Sequence, residues 1–364
     1  MTLRAVAQQQ GDSAAPEPDA LASELQALVS HHATLATRLT RATLTDDPGF
    51  VDAAESALVR NIDDLEAALT PAVGADAAQQ LSSQWEHQTQ SLFQSATGLR
   101  DDQPSTKQRA EQRLDRIADE QASALAALGD GRVDEDHVAD LLQSYFGDHM
   151  EQLERYAAGD YGRAYELQRQ AFAAAFPIGT ATASAGVRIP KSSPTDELRT
   201  ALSRLLGEHV ELAVDTMRAG ATGSEDFEAA ADALDANTRD MAAAMDALFG
   251  AKQAQKFNEV WADHIDLFVD YTVAVVEGDE ASKRAVREQF KAVMRRFGTT
   301  LEEITGGLVD ADVVTAAMGE HEQHLIDQIE QYAMDNYSAA HEVSYTACHA
   351  RDDHRGQQSR PTAP

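Results

Sequence analysis

The sequence predicts an all-α chain of two tandem up-and-down helical bundles related by internal duplication. Three observations carry that expectation. Apolar residues recur in alternating steps of three and four, capping residues and glycines punctuate the chain at helix-length intervals, and a set of landmarks recurs at an offset near 176 residues. With 364 residues the chain can bury two cores of ordinary size. Its hydrophobic content of 43% is rich in alanine and its aromatic content is 6%, a balance that suits helices packed on small side chains.

The repeat is read from four landmarks in one order. LVSHHATLA at Leu28 matches LLGEHVELA at Leu205, and Asn61 matches Asn237. Trp85 matches Trp261, and Tyr156 matches Tyr332. The copies are expected over residues 20–176 and 196–350. Residues 177–195, PIGTATASAGVRIPKSSPT, have the Pro, Gly, Ser and Thr content of a linker and no apolar period. Residues 1–19 and 351–364 are expected to be a disordered arm and tail.

In the second copy, caps and glycines predict helices over 196–219, 224–248, 251–277, 280–304, 310–333 and 336–349. The connections are short, so successive helices should run antiparallel. Along the first, the core seam runs Leu198, Leu202, Leu205, His209, Leu212 and Thr216. Asn237 lies in the seam of the second, His264 in that of the third and His321 in that of the fifth. All four sit near the midpoints of their helices, and midpoints of antiparallel helices share a level. A single polar layer is therefore expected inside an apolar core. Each buried polar group left without a partner would cost roughly 1–3 kcal/mol.

Three imidazoles with an open fourth position suit zinc, and imidazole also suits copper or iron. His209, His264 and His321 are the candidate metal ligands, with Asn237, His324 and His341 as candidates to orient ligands or replace one. The alternative is a structural layer of hydrogen bonds that fixes helix register, in a scaffold without metal. The first copy would place His32, Asn61, Gln88 or His87, and Tyr145 at the same positions, which keeps one clear imidazole.

Familiar enzyme signatures are missing. The seams lack the Glu and Glu-x-x-His pairs of a di-iron carboxylate bundle. The string starting at His341 has Tyr345 where a zinc protease needs its second His. There is no glycine-rich phosphate loop and no nucleophile elbow. A non-enzymatic protein is the expectation, with an enzyme using the histidine layer for redox or hydrolytic chemistry as a third reading, and the sequence names no protein partner.

The residues LLGEHVELA, Asn237, WADHIDLF and the closing Asn336-Tyr337-x-x-Ala340 run resemble helical-bundle domains of secreted bacterial and archaeal proteins. Some of these occur in association with copper amine oxidase-like domains. The resemblance implies an extracytoplasmic helical module and no particular reaction.

Charge bounds the partners and the solvent. Lys plus Arg total 30 against 61 Asp plus Glu, a formal net charge of −31. Nucleic acid is excluded as an expected partner, because its phosphates would be repelled. No apolar stretch reaches the length of a membrane span. The single cysteine, Cys348, excludes an intrachain disulfide. The first residues lack the apolar core of a signal peptide, but Ala5-Val6-Ala7 has the small residues of the end of one, so export or a cell-surface location is the expectation, with a cytoplasmic arm as the alternative. The acidic balance is that of proteins from high-salt organisms. Raising salt from about 0.1 M to about 1 M shortens the Debye length from about 10 Å to about 3 Å and screens this self-repulsion. The thermal midpoint should rise steadily over that range when followed by circular dichroism, and a flat or falling midpoint would contradict high-salt adaptation.

Overall fold

The computed structural model describes residues 17–349 except 192, so the sequence expectations for the arm before residue 17 and for the tail lie outside the described residues. Twelve helices and no strand occur among those residues. The first half comprises α1 (Pro18–Leu44), α2 (Pro48–Val73), α3 (Ala75–Arg100), α4 (Pro104–Gly129), α5 (Glu135–Ala157) and α6 (Tyr161–Gly186). The second comprises α7 (Pro194–Thr222), α8 (Phe227–Phe249), α9 (Ala251–Glu277), α10 (Glu280–Ile304), α11 (Ala311–Ala333) and α12 (Tyr337–His349). Each helix packs on the next within its half, as in an up-and-down bundle. Among the described residues, no helix is long and apolar enough to cross a membrane.

Local chemistry sets the boundaries. Proline occupies the first turn of α1, α2, α4 and α7, where its missing N–H is not needed. Ser193 and Asp196 form a reciprocal capping box on α7, while Asp47, Asp134, Asp279 and Asp310 cap α2, α5, α10 and α11. Left-handed backbone marks the joints, and it recurs in register. Asp46 pairs with Gly223 at an offset of 177; Gly74 with Gly250, Asp102 with Gly278, Asp130 with Gly306, Gly131 with Gly307 and Gly159 with Asp335 follow at 176.

The expected linker needs correction. Pro177 to Gly186 continue α6, and only the short stretch from Val187 to Ser193 separates the halves. Small residues that read as a linker serve here as a close helix contact. A Cβ on Gly179 would lie 2.7 Å from the backbone of Gln26, so only glycine lets α6 approach α1 at that point. Gln26 Nε2 donates to Thr180 Oγ1, and Arg132 donates to the last carbonyls of α6, at Ser184 and Ala185. The first half thus extends past residue 176. It also begins earlier than expected, because Pro18 already opens α1.

The halves are joined by reciprocal contacts. α6 of the first half packs on α8 of the second, and α12 of the second packs on α2 of the first. Arg169 of α6 pairs with Asp240 of α8 at 2.7 Å, and Arg60 of α2 pairs with Glu342 of α12 at 2.6 Å. Between them α1 and α7 meet through charged side chains. Arg38 of α1 reaches Asp215 at 2.9 Å and Glu211 at 3.0 Å on α7, all three buried. Gln168 Nε2 donates to Asp215. Arg41 stacks on the rings of Tyr156 and Tyr165, whose hydroxyls donate to Asp226, and Asp226 also pairs with Arg218.

Burial alone would raise the Asp215 carboxyl, but the guanidinium groups of Arg38, Arg218 and Arg41 hold it below its ordinary range. Glu211 goes the other way, because burial outweighs its single arginine partner. Replacing Arg38 with methionine would leave both carboxylates buried without that partner, a loss of about 3–5 kcal/mol. Urea unfolding of Arg38→Met should show it; a loss below about 1 kcal/mol would mean that water already solvates these groups.

Candidate metal centre

Each expected layer residue of the second half is placed by its helix as the seams require. His209 projects from α7, His264 from α9 and His321 from α11; the first two are buried and the third is partly exposed. The three rings approach one another with centroid separations of 5.6, 5.9 and 6.0 Å. One nitrogen from each lies within 4.8 Å of the others. Aromatic rings enclose the group: Trp261 lies 4.6 Å from His209 and 5.1 Å from His264, with Phe268 5.2 Å from His264. Trp261 and its counterpart Trp85 are the buried core anchors that their seams require.

Hydrogen bonds decide which nitrogens are available. His264 Nδ1 lies 3.3 Å from the Trp261 carbonyl oxygen, which can only accept, so Nδ1 carries the proton and Nε2 keeps its lone pair. His264 Nε2 has no partner, and neither ring nitrogen of His209 has one. Burial lowers His264 to about 4. It lowers His209 well below its ordinary value, and the neighbouring His264 and His321 add to the effect. The imidazoles of His209 and His264 are therefore neutral near pH 7, the state in which they can donate to a metal. Tetrahedral zinc with N ligands at about 2.0–2.1 Å sets N···N separations near 3.3 Å, so the widest separation, up to 4.8 Å, would have to close by about 1.5 Å.

The residues proposed to support the ligands divide. Asn237 is fully buried; its Nδ2 donates to the Leu205 carbonyl at 3.0 Å and to Glu208 Oε2 at 2.8 Å, while its Oδ1 has no partner. His341 lies elsewhere, stacked 5.7 Å from Phe50 and edge-on to Tyr332 where the halves meet. His324 is partly exposed and does not join the three-histidine group.

The first half shows the same layout with other contents. His32 Nδ1 and Asn61 Oδ1 are 3.0 Å apart, and Asn61 Nδ2 donates to the Leu28 carbonyl. The alternative between Gln88 and His87 is resolved: Gln88 is buried and His87 exposed. Gln88 faces the Tyr145 hydroxyl, although neither side chain closes a hydrogen bond of good geometry. His149, which the sequence reading passed over, stands edge-on to Tyr145 at 4.6 Å. Glu208 and Glu211, which the seams did not single out, are buried on the flank of α7 beside the histidine seam, where Glu208 also accepts from Asn237. The seams themselves carry no carboxylate, but acidic residues spaced by three along the flank beside the seam were the available signal.

Comparison with protein-family models, with curated proteins and with solved structures gives no match.

Burial of neutral histidine has a consequence in acid. His32 is lowered to about 4 by burial, against a weaker upward pull from Asn61, and burial with nearby His32 lowers His149 to about 3. The unfolded chain, with histidine near 6.5, binds more protons between those limits, so native stability falls as pH drops below about 6.5. The loss continues until the folded-state values are passed. Replacing His149 with glutamine removes one of these groups. The stability of His149→Gln should therefore fall less steeply between pH 6.5 and 4 than that of the wild type in urea titrations, and equal slopes would refute the assignment.

Proposed function

We propose that the second half is a transition-metal-binding module using His209, His264 and His321, in a non-enzymatic protein built from two copies of one bundle. The observation that carries this reading is the convergence of three ring nitrogens within 4.8 Å, with His209 and the Nε2 of His264 lacking hydrogen-bond partners. A purely structural layer would be expected to spend those nitrogens on one another or on Asn237, as His32 does on Asn61. Zinc and copper suit the all-imidazole set best, and iron is the weaker fit because no carboxylate joins it. Duplication is supported by the left-handed joints that recur at 176 or 177 residues and by the matched Asn61 and Asn237 bonds to Leu28 and Leu205. Export in a high-salt organism completes the reading; it rests on the family resemblance and on the acidic balance.

A structural scaffold without metal is the second reading. One observation favours it: Gln88 and Tyr145 show that the first half tolerates buried polar groups in the same layer.

Elemental analysis of tag-free protein, alongside His264→Ala, separates the two. Near-stoichiometric zinc or copper in the wild type, lost in the variant, is expected. Added zinc at about 100 times its Kd should stabilise the wild type by about 2.7 kcal/mol. Copper(II) should quench Trp261, which touches His209 and His264, in a Trp85→Phe background that silences the other indole. No metal, no uptake and no quenching would leave the scaffold reading.

A further inference from the structure

We infer that Asn237 is a positioning residue: it accepts a hydrogen bond from His209 Nδ1–H when metal binds, so that His209 presents Nε2 to the ion. The inference rests on the metal-binding reading and deepens it. Three observations support it.

The Asn237 amide cannot turn over freely. Its Nδ2 is held by the Leu205 carbonyl and by Glu208 Oε2, and Glu208 is itself gripped through both carboxylate oxygens by Arg169 of α6. Oδ1 must therefore face the other way, and it is buried without a partner.

The first half shows where an oxygen so placed points. Asn61 reaches the carbonyl of Leu28, one helical turn before His32, and its Oδ1 meets His32 Nδ1 at 3.0 Å. Asn237 reaches the carbonyl of Leu205, one turn before His209, in the same way. His209 Nδ1 is unpartnered, so donor and acceptor are both available.

His264 already has the corresponding arrangement, with Nδ1 turned to the Trp261 carbonyl and Nε2 free. A metal-bound histidine usually donates its second ring N–H to a carbonyl or carboxylate, which fixes the tautomer and ring orientation. As His209 swings inward to close the 4.8 Å span, Asn237 Oδ1 is the acceptor left for it. Arg169 belongs to the first half, so the first half would steady a site that lies in the second.

Zinc is the probe for the test. Nitrogen-15 imidazole spectra of the zinc-loaded full chain should show His209 bound through Nε2 with Nδ1 protonated. Asn237→Ala should weaken zinc binding by about 10- to 100-fold in competition titrations, while Asn61→Ala leaves it unchanged. Arg169→Met should weaken it in the same direction by a smaller factor. Binding through Nδ1 would overturn the inference, as would an Asn237→Ala affinity within about 2-fold of wild type, and both results would leave the metal site standing. Should the wild type take up no zinc, the site and the inference fall together. The spectra need only wild-type protein, so they decide the matter even if Asn237→Ala does not fold.

Discussion

The architecture depends on the charge network where α1 meets α7. Arg38, Arg41 and Arg218 stand among Glu211, Asp215 and Asp226, three cations and three anions, with the amide of Gln168 and the hydroxyls of Tyr156 and Tyr165 adding hydrogen bonds and the two tyrosine rings holding Arg41. Buried ions tolerate few alternative arrangements, because a shift that parts one pair strands a charge away from water. The network therefore acts as a register mark between the halves more than as a source of stability. It also explains α1, which is buried without interruption from Leu28 to Thr43 although many of those residues are polar. A helix wrapped by its own bundle and met by a second one has little face left for solvent.

That constraint separates the two layers. Seen from α7, the histidine seam looks into the second bundle, Glu211 and Asp215 look toward the first, and Glu208 bridges the two through Asn237 and Arg169. One helix thus carries neutral ligand candidates along one face and paired charges along the flank beside it. The aromatic enclosure of Trp261 and Phe268 lies on the histidine side, and the ion pairs with Arg38 and Arg169 lie on the charged side.

Much of this arrangement was legible in the sequence, for a physical reason. The seams that placed His209, Asn237, His264 and His321 depend on periodicity within one helix, and so does the level they share. Helix boundaries in the second half followed from caps and glycines that act within one turn. What stayed hidden was whatever depends on a second surface. Glycine, threonine and serine in PIGTATASAG carry the composition of a linker, and only the proximity of α1 makes them a packing face. Arg38 and Asp215 read as ordinary charges until α1 and α7 are brought together. His341 sits at a candidate ligand's position in the chain, yet its neighbours Phe50 and Tyr332 come from both halves. Which side of Asn237 is satisfied likewise depended on Glu208 and, behind it, Arg169.

The reciprocal docking of α6 on α8 and of α12 on α2 changes what the intervening peptide is for. Each half lends its last helix to the other, so the backbone from Val187 to Ser193 raises the effective concentration of two surfaces that already clasp one another. A protease that cut there would produce two fragments still gripped by the same buried ions, a non-covalent heterodimer in place of two freed domains.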